Sequence, residues 1–412
     1  MKGNFMAKKR TKKTEVDIFA ELAKDTDCVV LDDEKPVKYY VDTGNLATNY
    51  ICSGKFIHGG VAGGRITEIF GPESSSKSLF GTNILFGCQK LGGYAIILDC
   101  ENTMNADFAK NASHLDTKKV LIAKPQSLET AFKKIHVVIE KIREHDKERP
   151  IVVVYDSITV SPCERELREV KLPENYTDAE FKKIVGGKEQ PGERAKICSR
   201  EFRKLTPLLE KNDATLLVIN QTRDKIGVMF GDNQTTGGGG RALPFYATCR
   251  LATRASKQIV KKVEKAAKLE IPIGVNISLS NKKNKAYKPF LKTTGLNLFF
   301  DKGINPLTGL LSVLVIAERI VPTGSGNFEV KPEYAGSLGA TKFKSSLERN
   351  DVPLQVLLDN PAVVGAEDKA EVEKYMAAFS PAIEQSSADD VAENEVEGGP
   401  VDMDELEFDF EQ

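Results

Sequence analysis

The octapeptide GPESSSKS, Gly71–Ser78, decides the fold. It nearly spells the phosphate-binding loop G-x-x-x-x-G-K-[ST], with Ser76 where the pattern carries its second glycine. In such a loop, successive backbone N–H groups and the N-terminus of a following helix cradle phosphates. The lysine reaches the β- and γ-phosphates, and the next hydroxyl ligates Mg2+. Lys77 and Ser78 supply those two groups, while Gly71, Pro72, Glu73, Ser74, Ser75 and Ser76 supply the backbone. The alternating stretch RITEIFG (Arg65–Gly71) leads in as a strand, and Ser78–Leu91 leads out as a helix. A serine at position 76 adds a side chain where the chain must turn tightly, and a negative φ is expected to accommodate it.

Outward from the loop, three apolar runs end in polar residues. YAIILDCE places Glu101 just past a strand, PIVVVYDS ends near Asp156, and ATLLVINQ ends at Gln221. Runs of Val, Ile and Leu alternating with amphipathic helices predict a parallel sheet covered on both faces. Ligands bind at the C-terminal ends of such strands. Taken alone, Asp156 is a turn or cap residue, Glu101 a strand-end charge and Gln221 a solvated amide. Together with Lys77 and Ser78 they form a nucleotide site: Asp156 and Ser78 on the metal side, Glu101 to activate water, Gln221 to sense the γ-phosphate. Further on, Thr248–Ala255, Ile273–Ser280 and LNLFFD predict strands, and GLLSVLVIAERIV predicts a helix. From about Lys331 a small helical appendage is expected. Near the N-terminus, EVDIFAELAK (Glu15–Lys24) has helical spacing.

The bulk numbers restrict the class. The 412 residues are 41% hydrophobic and 28% charged, as in a soluble globular protein. The longest apolar stretch, Leu310–Ala317, is far short of a membrane span, which needs about 20 residues. The basic leader lacks the apolar run of an export signal. Seven scattered cysteines without a C-x-x-C pair read as reduced thiols in the cytoplasm. The four histidines show no metal-ligand spacing. Lys and Arg number 58 against 59 Asp and Glu, but 12 of the acidic residues lie in Glu384–Gln412, which has no Lys or Arg. The remainder therefore carries +11, which predicts a polyanionic partner and a tail that competes for the same surface or simply solvates the end.

The segments GRITEIFGPESSSKS, ILDCEN, VVVYDS, LLVINQTRDKIGVMFG and TTGGGGRALPFYATCRL together resemble the RecA family of recombinases, over roughly Asn45–Asp301. The loop with its replaced glycine, the INPLTGLL segment and the acidic tail are similar to phage recombinases of the UvsX type, which implies a phage source. The resemblance implies an α/β fold: a RecA-type P-loop NTPase core with a mostly parallel central sheet, an N-terminal oligomerisation helix and a small C-terminal helical domain. The expected divisions are 1–44, 45–305, 306–383 and the acidic tail 384–412. ATP and Mg2+ are the implied cofactors. Phe108 falls where the family stacks an aromatic on adenine, and Lys283 and Lys285 match a pair that reaches the neighbouring subunit's ATP. Read alone, those two lysines are a solvated turn. DNA contacts are implied for Lys196, Ser199 and Arg203 on one helix. In a glycine-rich loop they are implied for Arg223, Lys225, Ile226, Met229, Gly238, Gly239 and Arg241. The first of the two implied DNA loops, between Ser161 and Gly192, is longer here than in bacterial members.

The expected partners are single-stranded DNA, homologous duplex DNA and further copies of the chain in a helical filament. An ssDNA-binding protein and a loading mediator are further candidates, and no membrane partner is expected. The leading expectation is an ATP-dependent strand-exchange protein. Two alternatives stay open: a non-hydrolysing, ATP-sensing filament that protects DNA, and a ring helicase on the same core.

Overall fold

The computed structural model describes residues 15–26, 28–31, 37–167, 177, 192–224, 234–237, 240–264, 269–337, 341–346 and 350–379. Helix α1 (Glu15–Thr26) comes first, with Ile18, Phe19 and Leu22 exposed. Strands β1 (Tyr40–Val41) and β2 (Val61–Ala62) pair antiparallel and flank α2 (Leu46–Ser53). An alternating series follows: β3 (Ile66–Gly71), α3 (Lys77–Lys90), β4 (Tyr94–Asp99), α4 (Ala106–Ser113), β5 (Val120–Ala123), α5 (Leu128–His145), β6 (Ile151–Asp156), α6 (Glu193–Lys211) and β7 (Ala214–Asp224).

The parallel part of the sheet has the order β3-β7-β6-β4-β5. Side-chain alternation explains why its strands are apolar throughout. Ile97, Val152, Val154, Leu217 and Ile219 join one core with α2 and α3, while Ile96, Leu98, Val153, Tyr155, Leu216 and Val218 join a second core with α5 and α6. Every residue of β6 is buried. Truncating any of these central side chains to Ala costs roughly 2–5 kcal/mol. All four central strands β3, β7, β6 and β4 point the same way, so Gly71, Gln221, Asp156 and Asp99 end together at one edge.

Beyond β3 the sheet continues through β9 (Cys249–Glu264), which is parallel to β3, into an antiparallel set. That set comprises β10 (Leu269–Asn284), β11 (Lys292–Phe299) and β12 (Gly303–Ile304). β8 (Gln234–Thr236) pairs antiparallel with the end of β7, and α7 (Ala242–Tyr246) precedes β9. Strands β9 and β10 are far longer than the sequence pattern indicates. The outer half of β9 exposes Lys257, Gln258 and Lys261 and that of β10 exposes Glu270 and Ile271, so hydrogen bonding between the two strands rather than core burial holds them.

The C-terminal region departs from expectation. α8 stops at Ile316 (Leu310–Ile316), and the rest of the anticipated helix becomes β13 (Ile320–Gly324). β13 pairs with β14 (Asn327–Val330), which pairs with β15 (Lys342–Lys344), so a stretch expected to be helical is mixed. Gly324 and Gly326, at φ 104° and 76°, permit the β13–β14 reversal, while Phe328 of β14 and Phe343 of β15 stack as cross-strand partners on the buried face. Two helices follow, α9 (Leu354–Asp359) and α10 (Lys369–Phe379). α10 seats on the core: the Tyr375 hydroxyl donates to Asp42 Oδ1 at 3.1 Å, and the Phe379 ring meets Phe86 of α3 edge-on at 5.4 Å. No helix among the described residues is long and apolar enough to cross a membrane.

Candidate functional site

The loop between β3 and α3 is locked to its neighbours. A Cβ on Gly71 would lie 2.3 Å from the Thr253 carbonyl oxygen on β9, so only glycine fits there. Ser75 donates to the Pro72 carbonyl at 2.8 Å and shares a 2.9 Å hydrogen bond with the Thr253 hydroxyl. The Lys77 ammonium rests on the Pro72 carbonyl and on Ser75 Oγ. Glu73, Ser74 and Ser78 are exposed at the rim. Ser76 has φ 65° and ψ 24°, and Ser74 has φ 56°. The expectation of a negative φ at Ser76 is therefore corrected. The tight turn demands the left-handed conformation, which is strained for a residue with a Cβ. Left-handed residues at alternate positions give the chain the curvature of an anion-binding nest.

The strand ends supply the polar groups. Ser78 Oγ donates to Asp156 Oδ2 at 2.6 Å, joining α3 to β6. Glu101 Oε1 accepts from Ser157 Oγ at 2.6 Å and from Gln221 Nε2 at 3.2 Å. Asp99, at the end of β4, accepts from the backbone N–H groups of Thr103 and Met104 and so shapes the turn carrying Glu101. Burial raises the Asp156 carboxyl to about 6. The Ser78 hydrogen bond and Lys77 oppose the rise, and the nearby carboxylates Glu101 and Asp99 add to it. Burial lowers the Lys77 ammonium from its ordinary value, against the pull of Asp156, Glu101 and Glu73. A buried carboxylate bonded to a hydroxyl, with an ammonium beside it, fits a hard cation and the phosphates it accompanies.

Other sequence-derived candidates fall in separate places. Lys196, Ser199 and Arg203 share one face of α6, Lys196 and Arg203 exposed and Ser199 half-buried. Arg241 is exposed at the start of α7. Lys283 lies on β10 opposite Arg250, at the edge of the sheet where β9 begins rather than the edge where the P-loop leaves. Its Nζ donates to the Pro244 and Phe245 carbonyls at 2.7 and 2.9 Å, and burial, then Lys285 and Arg250, lower its ammonium. Lys285 lies two residues on, its N–H bonded to the Thr248 carbonyl. Within one chain the two lysines are thus not brought to the phosphate loop. Lys225, Ile226, Met229, Gly238, Gly239 and the side chains of Arg223 and Phe108 lie outside the described residues, as do 168–176, 178–191 and the acidic tail. Ser157, Thr253 and Asp99 were not legible as site residues. Ser157 adjoins Asp156, but Thr253 is 178 positions from the Ser75 it holds.

Gln221 is also where the strand meets the glycine-rich loop. Its carbonyl accepts from Gly237 N–H at 2.7 Å, and β8 pairs Thr236 with Thr222 and Gln234 with Asp224. The residue whose side-chain amide touches Glu101 therefore also roots that loop through its backbone.

A family model described as the RecA N-terminal domain matches residues 26–305. Protein RecA of Thermus aquaticus is 33% identical over 267 residues, covering 65% of this chain and 70% of that protein. Protein RecA of Mycoplasma mycoides is 33% identical over 266 residues, 65% and 68% of the two chains. Protein RecA of Thermus thermophilus is 31% identical over 285 residues, 69% and 74%. With a family model matched over residues 26–305 and relatives at about one-third identity, the chain belongs to the RecA family.

Proposed function

We propose that this protein is a DNA-dependent ATPase that forms a helical filament on single-stranded DNA and carries out homologous pairing and strand exchange. The observation that carries the reading is the Ser157–Glu101–Gln221 contact, because it joins a carboxylate able to accept a proton to the strand that roots a nucleic-acid loop. Lys77 and the loop N–H groups hold the triphosphate. Glu101, steadied by Ser157, takes the proton of the attacking water. Gln221 releases Glu101 when it turns to the γ-phosphate, and the same residue shifts the root of the loop at Thr222 and Thr236. Mg2+, held by Ser78 and Asp156, would neutralise phosphate charge when bound.

Assembly is head to tail. The exposed apolar face of α1 and the exposed Leu121 and Ile122 on β5 at the sheet's edge are two unlike surfaces, as an open heterologous array requires. Lys283 and Lys285, lying away from their own phosphate loop, serve the ATP of the next protomer. Lys196, Ser199, Arg203 and Arg241 offer phosphate contacts that do not depend on sequence. The four-part division of the chain, its cytoplasmic site of action and its phage source belong to the same proposal.

The test is phosphate release with and without single-stranded DNA, followed by electron microscopy of the same sample. DNA-stimulated hydrolysis with helical filaments is the expected result. Filaments without hydrolysis would favour a protective, ATP-sensing polymer, and closed rings a helicase.

A further inference from the structure

Glu68, on β3, is fully buried. A carboxylate in that position is tolerated only if it is paired and hydrogen-bonded, and Glu68 is both. Asn220 Nδ2 donates to its Oε1 at 2.8 Å, and Arg250 Nε donates to its Oε2. The Arg250 guanidinium also lies 4.7 Å over the Phe70 ring centroid. The three polar residues come from three adjacent strands, β7, β3 and β9.

The contacts continue on both sides. Asn220 Oδ1 accepts from the Thr159 hydroxyl at 2.8 Å, and the oxygen of that hydroxyl accepts from the backbone N–H of Gln221 at 3.0 Å. The Thr159 carbonyl accepts from Arg194, in the first turn of α6, at 2.9 Å. On the other flank, Arg250 is the cross-strand partner of Lys283. One chain of contacts therefore runs Arg194–Thr159–Asn220–Glu68–Arg250, buried at its three central members and half-buried at both arginines. It touches the backbone of Gln221 at one end and stands in register with Lys283 at the other. Stability alone does not account for it, since well-packed apolar residues often replace a buried ion pair at no cost. In some proteins such a buried pair instead fixes one alignment of the elements that carry it.

We propose that Glu68 is a positioning residue. It holds the strand bearing Gln221 and the strands bearing Arg250 and Lys283 in one alignment, so that the phosphate-sensing amide of a protomer and the basic pair it presents to its neighbour are set together. The inference rests on the reading of Gln221 and Lys283 given above. It assigns Glu68 no contact with nucleotide.

The experiment measures ATP hydrolysis by the full chain, with single-stranded DNA, for Glu68→Gln, Glu68→Asp and Thr159→Val. Glutamine keeps an oxygen for Asn220 but turns an amide toward Arg250. Turnover should fall by roughly 10- to 100-fold, the scale of a sub-ångström to ångström misplacement, while KM for ATP stays nearly unchanged. Glu68→Asp keeps the charge and should recover part of the loss. Thr159→Val cuts the link to Gln221 and leaves the ion pair intact, and should lower turnover in the same direction. A folded Glu68→Gln protein with wild-type turnover would overturn the proposal. So would a fall in kcat matched by a rise in KM and a lower melting temperature, which marks general loosening. If Glu68→Gln does not fold, Thr159→Val decides: wild-type turnover in that variant overturns the proposal. A wild-type chain without DNA-stimulated hydrolysis would instead overturn the functional reading beneath it.

Discussion

Helices α5 and α3 are both preceded by a serine, and the two serines do different work. Ser127, before α5, has an extended backbone at φ −138°, and its hydroxyl oxygen accepts from the Thr130 N–H at 3.0 Å. Asn45 does the same for α2, accepting from Thr48 N–H at 2.8 Å. Ser76, before α3, stands at φ 65° and makes no side-chain cap bond. A helix leaves its first N–H groups without intrahelical partners, and the positive end of its dipole lies there. Where a serine caps, those donors are used within the chain and the gain is stability. Where the serine is turned left-handed, the donors stay open toward the loop, and the helix start is available to an anion. The difference resides in the backbone angle, which the residue type does not announce.

Three experiments press on this contrast. The largest effect should separate holding a nucleotide from turning it over. If the open start of α3 does the holding, Glu101→Gln leaves ATP binding and filament formation intact while hydrolysis drops by about 10²-fold or more, the scale of a lost general base. Wild-type phosphate release from that variant would remove Glu101 from the role.

The next effect concerns the charge that the site tolerates when no nucleotide is bound. The folded Asp156 carboxyl titrates at about 6, above the ordinary 3.8 of an unfolded chain. The folded state therefore binds more protons between those values, and the stabilisation due to Asp156 is complete below about 3.8 and is lost as pH rises through about 6. Asparagine mimics the protonated form. In nucleotide-free protein, the melting temperature of Asp156→Asn should pull ahead of wild type as pH rises from 4 to 7. A constant gap across that range would show that Asp156 is not the titrating group.

The smallest effects are a matched pair of substitutions at the two serines. Ser76→Gly relieves a left-handed Cβ and should raise stability by about 1–2 kcal/mol, with turnover or nucleotide affinity increased. Ser127→Ala removes a cap and should lower stability by about 1 kcal/mol with no change in nucleotide affinity. Urea denaturation and nucleotide titration of both variants check the pair. Loss of stability in Ser76→Gly would mean that the two serines are more alike than their backbones indicate.

The convergence of the proposed nucleotide-site residues was readable because they sit at the ends of apolar runs. Lys77, Ser78, Glu101, Asp156 and Gln221 each follow a segment whose period names it as a strand, and parallel strands bring their ends together. The Glu68–Arg250 pair was not readable. It depends on β3 and β9 becoming neighbours across 182 positions, which neither local pattern encodes. β5 escaped notice because four residues with exposed Leu121 and Ile122 carry too little periodicity. The strand after α8 was hidden because Ile320 and Val321, two residues past the apolar run and separated from it by Glu318 and Arg319, fit the period of a continuing amphipathic helix, and only the glycines at 324 and 326 hint at a hairpin.

The seating of α10 has a practical corollary for shortening the chain. Tyr375 and Phe379 close over Asp42 and over Phe86 in the last turns of α3. A stop codon placed just after Phe379 removes every carboxylate of the tail and leaves this closure in place. One placed before Lys369 takes the closure away, bares Phe86 to water and strips Asp42 of its phenolic partner. Trimming experiments on the acidic end are therefore interpretable only on the far side of residue 379. Any phenotype from a deeper cut reports on the seam between the helix and the core, whatever the tail itself does.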